Sequence, residues 1–202
     1  MQLLRSLPFL LLIPACSGDV EDPDGHDHDH DHGLVTTVEL VFTPATGDAL
    51  TFTWSDPEDD GDPIIDPVVL PEGAYTLDIA FWNDLEDPVE DVTPEIVEEG
   101  EEHQIFLTGS AVQSEATGDN AAALLETTYA DEDGSGLPLG LVHDVTTLQT
   151  GDRELVLSLR HLPEEDGSPT KTDGLAADVA SGGFGSIAGA TDVSVSFDVT
   201  VQ

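Results

Sequence analysis

The sequence predicts an all-β domain: an antiparallel β-sandwich of about eight strands, Ig-like or jelly-roll-like, with one short helix and a disordered N-terminal tether. Three observations predict it. Short stretches alternate apolar with polar residues and are rich in Val, Ile, Thr, Phe and Tyr, which is the period-two signature of half-buried strands. Gly, Pro and Asp punctuate these stretches at the spacing expected of a sandwich or barrel. Only one segment carries a coherent set of helix signals.

The strand candidates are residues 34–43 (LVTTVELVFT), 49–54 (ALTFTW), 74–82 (AYTLDIAFW), 103–109 (HQIFLTG), 123–130 (ALLETTYA), 139–147 (LGLVHDVTT), 153–161 (RELVLSLRH) and 192–201 (DVSVSFDVTV). In the last of these, Val193, Val195, Phe197 and Val199 alternate with Ser and Asp, so one face is expected to be buried and the other wet. The helix candidate is VTPEIVEEGEE, with Thr93 as N-cap, Pro94 at the first helical position, acids in the first turns and Gly100 as a stop. Residues 34–202 are enough for one domain with a sizeable core.

Ahead of that domain the chain opens MQLLRSLPFLLLIPACSGD, with Arg5 before an apolar run from Leu7 to Ile13. The run is too short to span a bilayer as a mature helix and reads as the core of a secretory signal covering residues 1–15. Ile13-Pro14-Ala15-Cys16 resembles the bacterial lipobox, whose cysteine is lipidated and becomes the new N-terminus. Cys16 is the only cysteine in the chain, so the mature domain has no internal disulfide and its stability must come from a core. Each buried methylene of an acyl chain contributes about 0.8 kcal/mol, so two or more chains form a lasting anchor. Ser17 in place of an acid leans the address towards the outer membrane. Asp19, Glu21 and Asp22 loosely resemble a surface-export signal, and the periplasmic and outward-facing alternatives stay open.

The chain holds 43 acidic residues against four basic ones, a formal net charge of −39. Nucleic acid and anionic lipid headgroups are poor partners for it, because binding them relies on clustered Lys and Arg. The self-repulsion should be relieved by salt, screened over about 8 to 10 Å at moderate ionic strength.

Residues 16–33 are nearly free of apolar side chains and dense in Asp, His and Gly, the composition of a disordered tether. Within them His26, His28, His30 and His32 alternate with Asp27, Asp29 and Asp31. In an extended segment the four imidazoles project to one side, about 7 Å apart, within reach of a shared ion at Zn–N distances near 2.0 to 2.1 Å. The aspartates can offset the ion's charge and accept from the imidazole nitrogens not used for ligation. Zinc, nickel and copper all suit imidazole. Such a tail should bind near neutrality and release below about pH 6. Ordering it costs about 1 to 2 kcal/mol per residue fixed, which favours buffering over a structural or catalytic site. An inert acidic linker is the competing reading.

Two acidic loops carry the first half of the DxDxDG calcium pattern: Asp56, Glu58, Asp60 and Asp62 around Gly61, and Asp131, Asp133 and Ser135 before Gly136. Pro67 and Val142 stand where the closing ligand would be, and ordinary β-turns are the competing reading. His103, His143 and His161 each lie in or beside a strand; a joint metal site with Glu101 and Glu102 is conceivable, though packed or surface histidines are commoner. No nucleophile elbow, phosphate loop or HExxH motif is present, so the expectation is a protein that is not an enzyme.

The lipobox, the His/Asp run leading into GLVTTVEL, and the segments EDVTPEIVEEGEEHQIF, DEDGSGLPLGL, LSLRH and TDVSVSFDVTVQ together resemble small bacterial lipoproteins with a His/Asp-rich tail, best known from marine Bacteroidota. Such proteins often carry the label of a type 1 periplasmic-binding fold. That fold alternates strands with long helices in two lobes, whereas this sequence reads as eight strands and one helix. The resemblance implies an envelope location and a recurring His/Asp tail, with no reaction attached. The functional expectation is a non-catalytic, membrane-anchored collector of divalent transition metal, handing it to a metal-uptake receptor. The alternative is a structural, adhesion or ligand-binding sandwich with the tail as spacer.

Overall fold

A computed structural model describes residues 34–202. Cys16, the tether and the His26 to His32 run lie outside the described residues. The described chain is a two-sheet β-sandwich, as the alternation predicts. One sheet contains β1 (Thr37–Pro44), β2 (Leu50–Ser55), β3 (Ile64–Ile65), β5 (Ala74–Asn83), β6 (Glu90–Asp91), β8 (Val112–Gln113), β9 (Leu125–Tyr129) and β10 (Val142–Thr147), in the order β3-β2-β1-β5-β10-β9-β8 with β6 beside β5. The other runs β4-β12-β11-β7, from β4 (Val68–Leu70), β12 (Ala190–Val201), β11 (Gly151–His161) and β7 (His103–Thr108). Two helices, α1 (Thr93–Glu98) and α2 (Leu175–Gly182), lie between strands.

Side-chain parity fixes the core. In β1, Val38, Leu40 and Phe42 are fully buried, and the register sets Leu40 opposite Phe52 on β2 and Ile79 on β5. From the second sheet Leu155, Leu157, Val195, Phe197 and Val199 join the same cluster. Each such side chain contributes about 1.5 to 3 kcal/mol by leaving water. β12 keeps its expected wet face: Ser194, Ser196 and Asp198 are exposed between buried neighbours.

The pairing is not purely antiparallel, in contrast to the expectation. β4 runs parallel to β12, with Val68 opposite Val199, and β8 runs parallel to β9, with Val112 opposite Leu125. Both are two- or three-residue strands laid on sheet margins, where they cover backbone groups that would otherwise be unpaired. β4 reaches its sheet through a corner at Asp66, whose carboxylate accepts from the Thr53 amide (3.0 Å) and hydroxyl (2.9 Å).

The helix at 93–98 forms, but Thr93 is not its N-cap. Val92 holds that position without a side-chain cap, and Thr93 Oγ1 instead accepts from the Phe81 amide at 2.9 Å, pinning the helix start to β5. Asp91 Oδ1 accepts from the Thr93 amide (3.0 Å), so the first helical amide is satisfied by a side chain two residues upstream. Pro94 is accordingly the second helical residue. Gly100 does not stop the helix in a left-handed conformation. It opens a 3-10 turn, and a Cβ there would lie 3.3 Å from Asp133 Cβ, so its role is close packing.

The second helix, α2, was not expected. Leu175, Ala176 and Val179 form its buried stripe and join Phe106, Ala116 and Leu162 in a satellite cluster. Phe106 points away from the main core, so α2 gives β7 a second dry face and leaves its first five residues buried. Arg160, on the same side of β11, is also buried. Its guanidinium donates to Thr191 Oγ1 (2.6 Å) and to the Ala188 (2.9 Å) and Gly189 (2.6 Å) carbonyls, and lies 5.4 Å from the Phe184 ring centre.

Candidate functional site

The pairing of β7 with β11 sets His103 directly opposite His161. Their rings stack at 5.0 Å between centroids and 14° between planes. His103 is buried, its Nδ1 lies 3.1 Å from the Glu99 carbonyl, and its Nε2 is 3.7 Å from Asp192 Oδ2. His161 Nε2 is 3.5 Å from Glu102 Oε2. His103 and Asp192 also border a cleft of about 270 Å³, beside α1, whose apolar walls include Val35, Val92, Ile96, Leu159 and Val193. A mostly apolar cleft with a few convergent polar groups is the general form of a small-ligand site.

His143 is not part of this group. It sits on β10 against Tyr129 of β9, ring centres 4.9 Å apart, with Nε2 3.1 Å from the Gly140 carbonyl. Burial pulls its pKa from 6.5 down to about 4, against the smaller upward pull of neighbouring backbone carbonyls. Tyr129 donates to the Ile105 carbonyl (2.9 Å) and accepts from Gln104 Nε2 (3.2 Å); burial holds its phenol well above the usual tyrosine range, with Glu115 and Asp131 adding to the effect. Gly140 makes room for this arrangement. Its φ is +91°, and a Cβ would lie 2.6 Å from the Ile105 carbonyl oxygen and 2.9 Å from the Tyr129 ring.

The two acidic loops are built around backbone amides. In the first, Asp56 is buried and its carboxylate accepts from the Asp60 (3.1 Å) and Gly61 (2.8 Å) amides, while Glu58, Asp60 and Asp62 are exposed. In the second, Asp131 accepts from the Gly140 (2.8 Å) and Leu141 (2.9 Å) amides, and Asp133 Oδ1 from those of Ser135 and Leu137, both at 2.9 Å. Ser135 Oγ donates to Glu101 Oε1 at 2.6 Å, tying the loop to the turn after α1. The cation beside Asp133 is an ammonium: Lys171 Nζ lies 2.6 Å from Asp133 Oδ2 and donates to the Gly100 carbonyl at 2.7 Å, both side chains buried. Burial pushes Asp133 up, but Lys171 and the two amides outweigh it and hold the carboxyl below its ordinary value. Burial also lowers Lys171, and Asp133 offsets part of that.

Among the described residues no group of three or more His, Cys, Asp or Glu side chains is placed to hold a metal ion. Lys171 and Asp192 were missed in the sequence. Lys171 had one legible signal, as the only lysine of a strongly acidic chain. Asp192 had none, because nothing local distinguishes it from the other surface acids. No protein-family model matches the chain, and no curated protein or solved structure is significantly similar to it.

Proposed function

We propose that the protein is a non-catalytic lipoprotein of the cell envelope, held by lipid on Cys16 at the outer membrane, that collects or buffers divalent transition metal. The observation that carries this reading is the strict alternation of His26, His28, His30 and His32 with Asp27, Asp29 and Asp31, a pattern that in an extended segment would set imidazoles on one side and charge-matching carboxylates on the other. Zinc, nickel and copper fit the donor set, and a metal-uptake receptor is the natural recipient. The sandwich serves as the carrier of the run.

The test is isothermal titration of zinc, copper and nickel into the full chain and into a form with the four histidines changed to Ser. Binding at neutral pH that disappears in the Ser form is expected. Equal titration of both forms refutes the tail as the site. A second reading, a ligand-binding or adhesion module with the tail as spacer, is favoured by the apolar cleft beside α1, with His103 and Asp192 at its margin.

A further inference from the structure

β9 is only partly covered on its outer side. The Leu125 amide donates outward to the Ala111 carbonyl (2.9 Å), whereas the Ala130 amide donates to Val142 (2.9 Å) and the Leu124 carbonyl accepts from Leu148 (2.7 Å), both on the β10 side. From Leu125 to Tyr129 odd-numbered residues therefore direct their backbone groups outward and even-numbered ones face β10, while the Leu124 amide, just before the strand, also turns outward to Ala111 (2.8 Å). β8 matches β9 only at Leu125 and Glu126, so among the described residues no strand pairs with Tyr129 on the side away from β10.

The reason lies in the turn after β8. Ser114 Oγ donates to the Leu107 carbonyl (3.1 Å), Thr117 Oγ1 accepts from the Ser114 amide (2.8 Å), and Ala116 is buried with Phe106 and Leu175. That packing draws the chain away before it can continue along β9. Beside the uncovered edge runs a groove of about 560 Å³ bordered by Thr127 to Ala130 and by Glu115, Glu132 and Pro138. Four extended residues span roughly 13 Å, a length that admits one short added strand. In its wall the Thr127 hydroxyl is buried and has no hydrogen-bond partner, a polar group that an occupant could satisfy.

We propose that this edge receives an extended peptide segment bearing lysine or arginine, which adds to β9 as a further strand. Main-chain pairing supplies the attachment, and the carboxylates of Glu115 and Glu132 select the basic side chains. A second copy of the chain is a poor occupant, because edge-to-edge pairing would bring Glu115, Glu126 and Glu132 towards their own counterparts. The proposal is independent of metal binding by the histidine run.

The experiment uses the full-length protein and a synthetic peptide of alternating Lys and Val in 0.15 M NaCl, with amide hydrogen exchange followed by NMR. Saturation is expected to slow exchange of the Tyr129 amide at least tenfold and to leave Ala130 unchanged. The pair E115Q and E132Q should weaken binding at least fivefold, and N-methylation of alternate peptide amides should abolish it. Binding without protection at Tyr129 would place the peptide elsewhere, on the acidic tail for example, and overturn the proposal. So would undiminished affinity in the double variant, or dimers that already protect Tyr129 without peptide.

Discussion

Replacing Lys171 by Met removes the partner of a carboxylate that has no access to water. The Lys171 and Asp133 side chains are 1% and 0% exposed and meet at 2.6 Å. Breaking one side of a buried ion pair costs about 3 to 5 kcal/mol, because the remaining charge cannot recover its hydration. Asp133 keeps its amide bonds from Ser135 and Leu137, so the lower end of that range is expected, with loss of the Lys171 bond to Gly100 added. In the double variant K171M/D133N no charge is stranded, and it should recover a substantial part of the loss. Urea unfolding followed by circular dichroism reads both. Because the pair is shielded from solvent, the difference between the wild type and K171M should change little between 0.15 and 1 M NaCl. The pair also has a signed pH dependence. Asp133 is held below its ordinary value, so its contribution is present above the unfolded carboxylate range and is lost as pH falls through the folded value. A loss below about 1 kcal/mol in K171M, or an equal loss in the double variant, would refute the buried-pair argument.

Acid should act through His143 as well. Its pKa is depressed from 6.5 to about 4, so the unfolded chain takes the proton first and stability falls as pH drops across that window. At 1.36 kcal/mol per pH unit the loss is about 3 kcal/mol, and His143→Gln, which keeps a donor for the Gly140 carbonyl, should flatten this part of the pH profile in chemical denaturation. At Gly140, substitution by Ala combines a left-handed backbone with contacts of 2.6 and 2.9 Å to Ile105 and Tyr129. A loss of more than about 2 kcal/mol is expected, and a variant that unfolds at the same urea concentration as wild type would show that the backbone relaxes freely.

The eight longer strands were legible because each runs long enough for alternation to define a face. β3, β4, β6 and β8 were not, since two or three residues carry no period and become strands only through the neighbour they dock on. α2 escaped notice because its apolar positions sit in a Gly, Ala and Ser background, where burial against Phe106 decides the outcome. The same limit applies to the site. The sequence put His103, His143 and His161 in or beside strands, but only the register made the outer two of the three stack, and it sent His143 to Tyr129 instead. The acid-rich loops were read for their oxygens; the lysine that meets one of them comes from far along the chain.

Trypsin-like proteases cut after Lys and Arg, and the described domain offers three such residues. Arg160 and Lys171 are buried and bonded, while Arg153 is exposed but lies within the β11 pairing with β12, near its start and opposite Val199. Such an enzyme must have an extended, unpaired segment in its cleft. The domain should therefore survive digestion for as long as it stays folded, and the first cut would mark its unfolding.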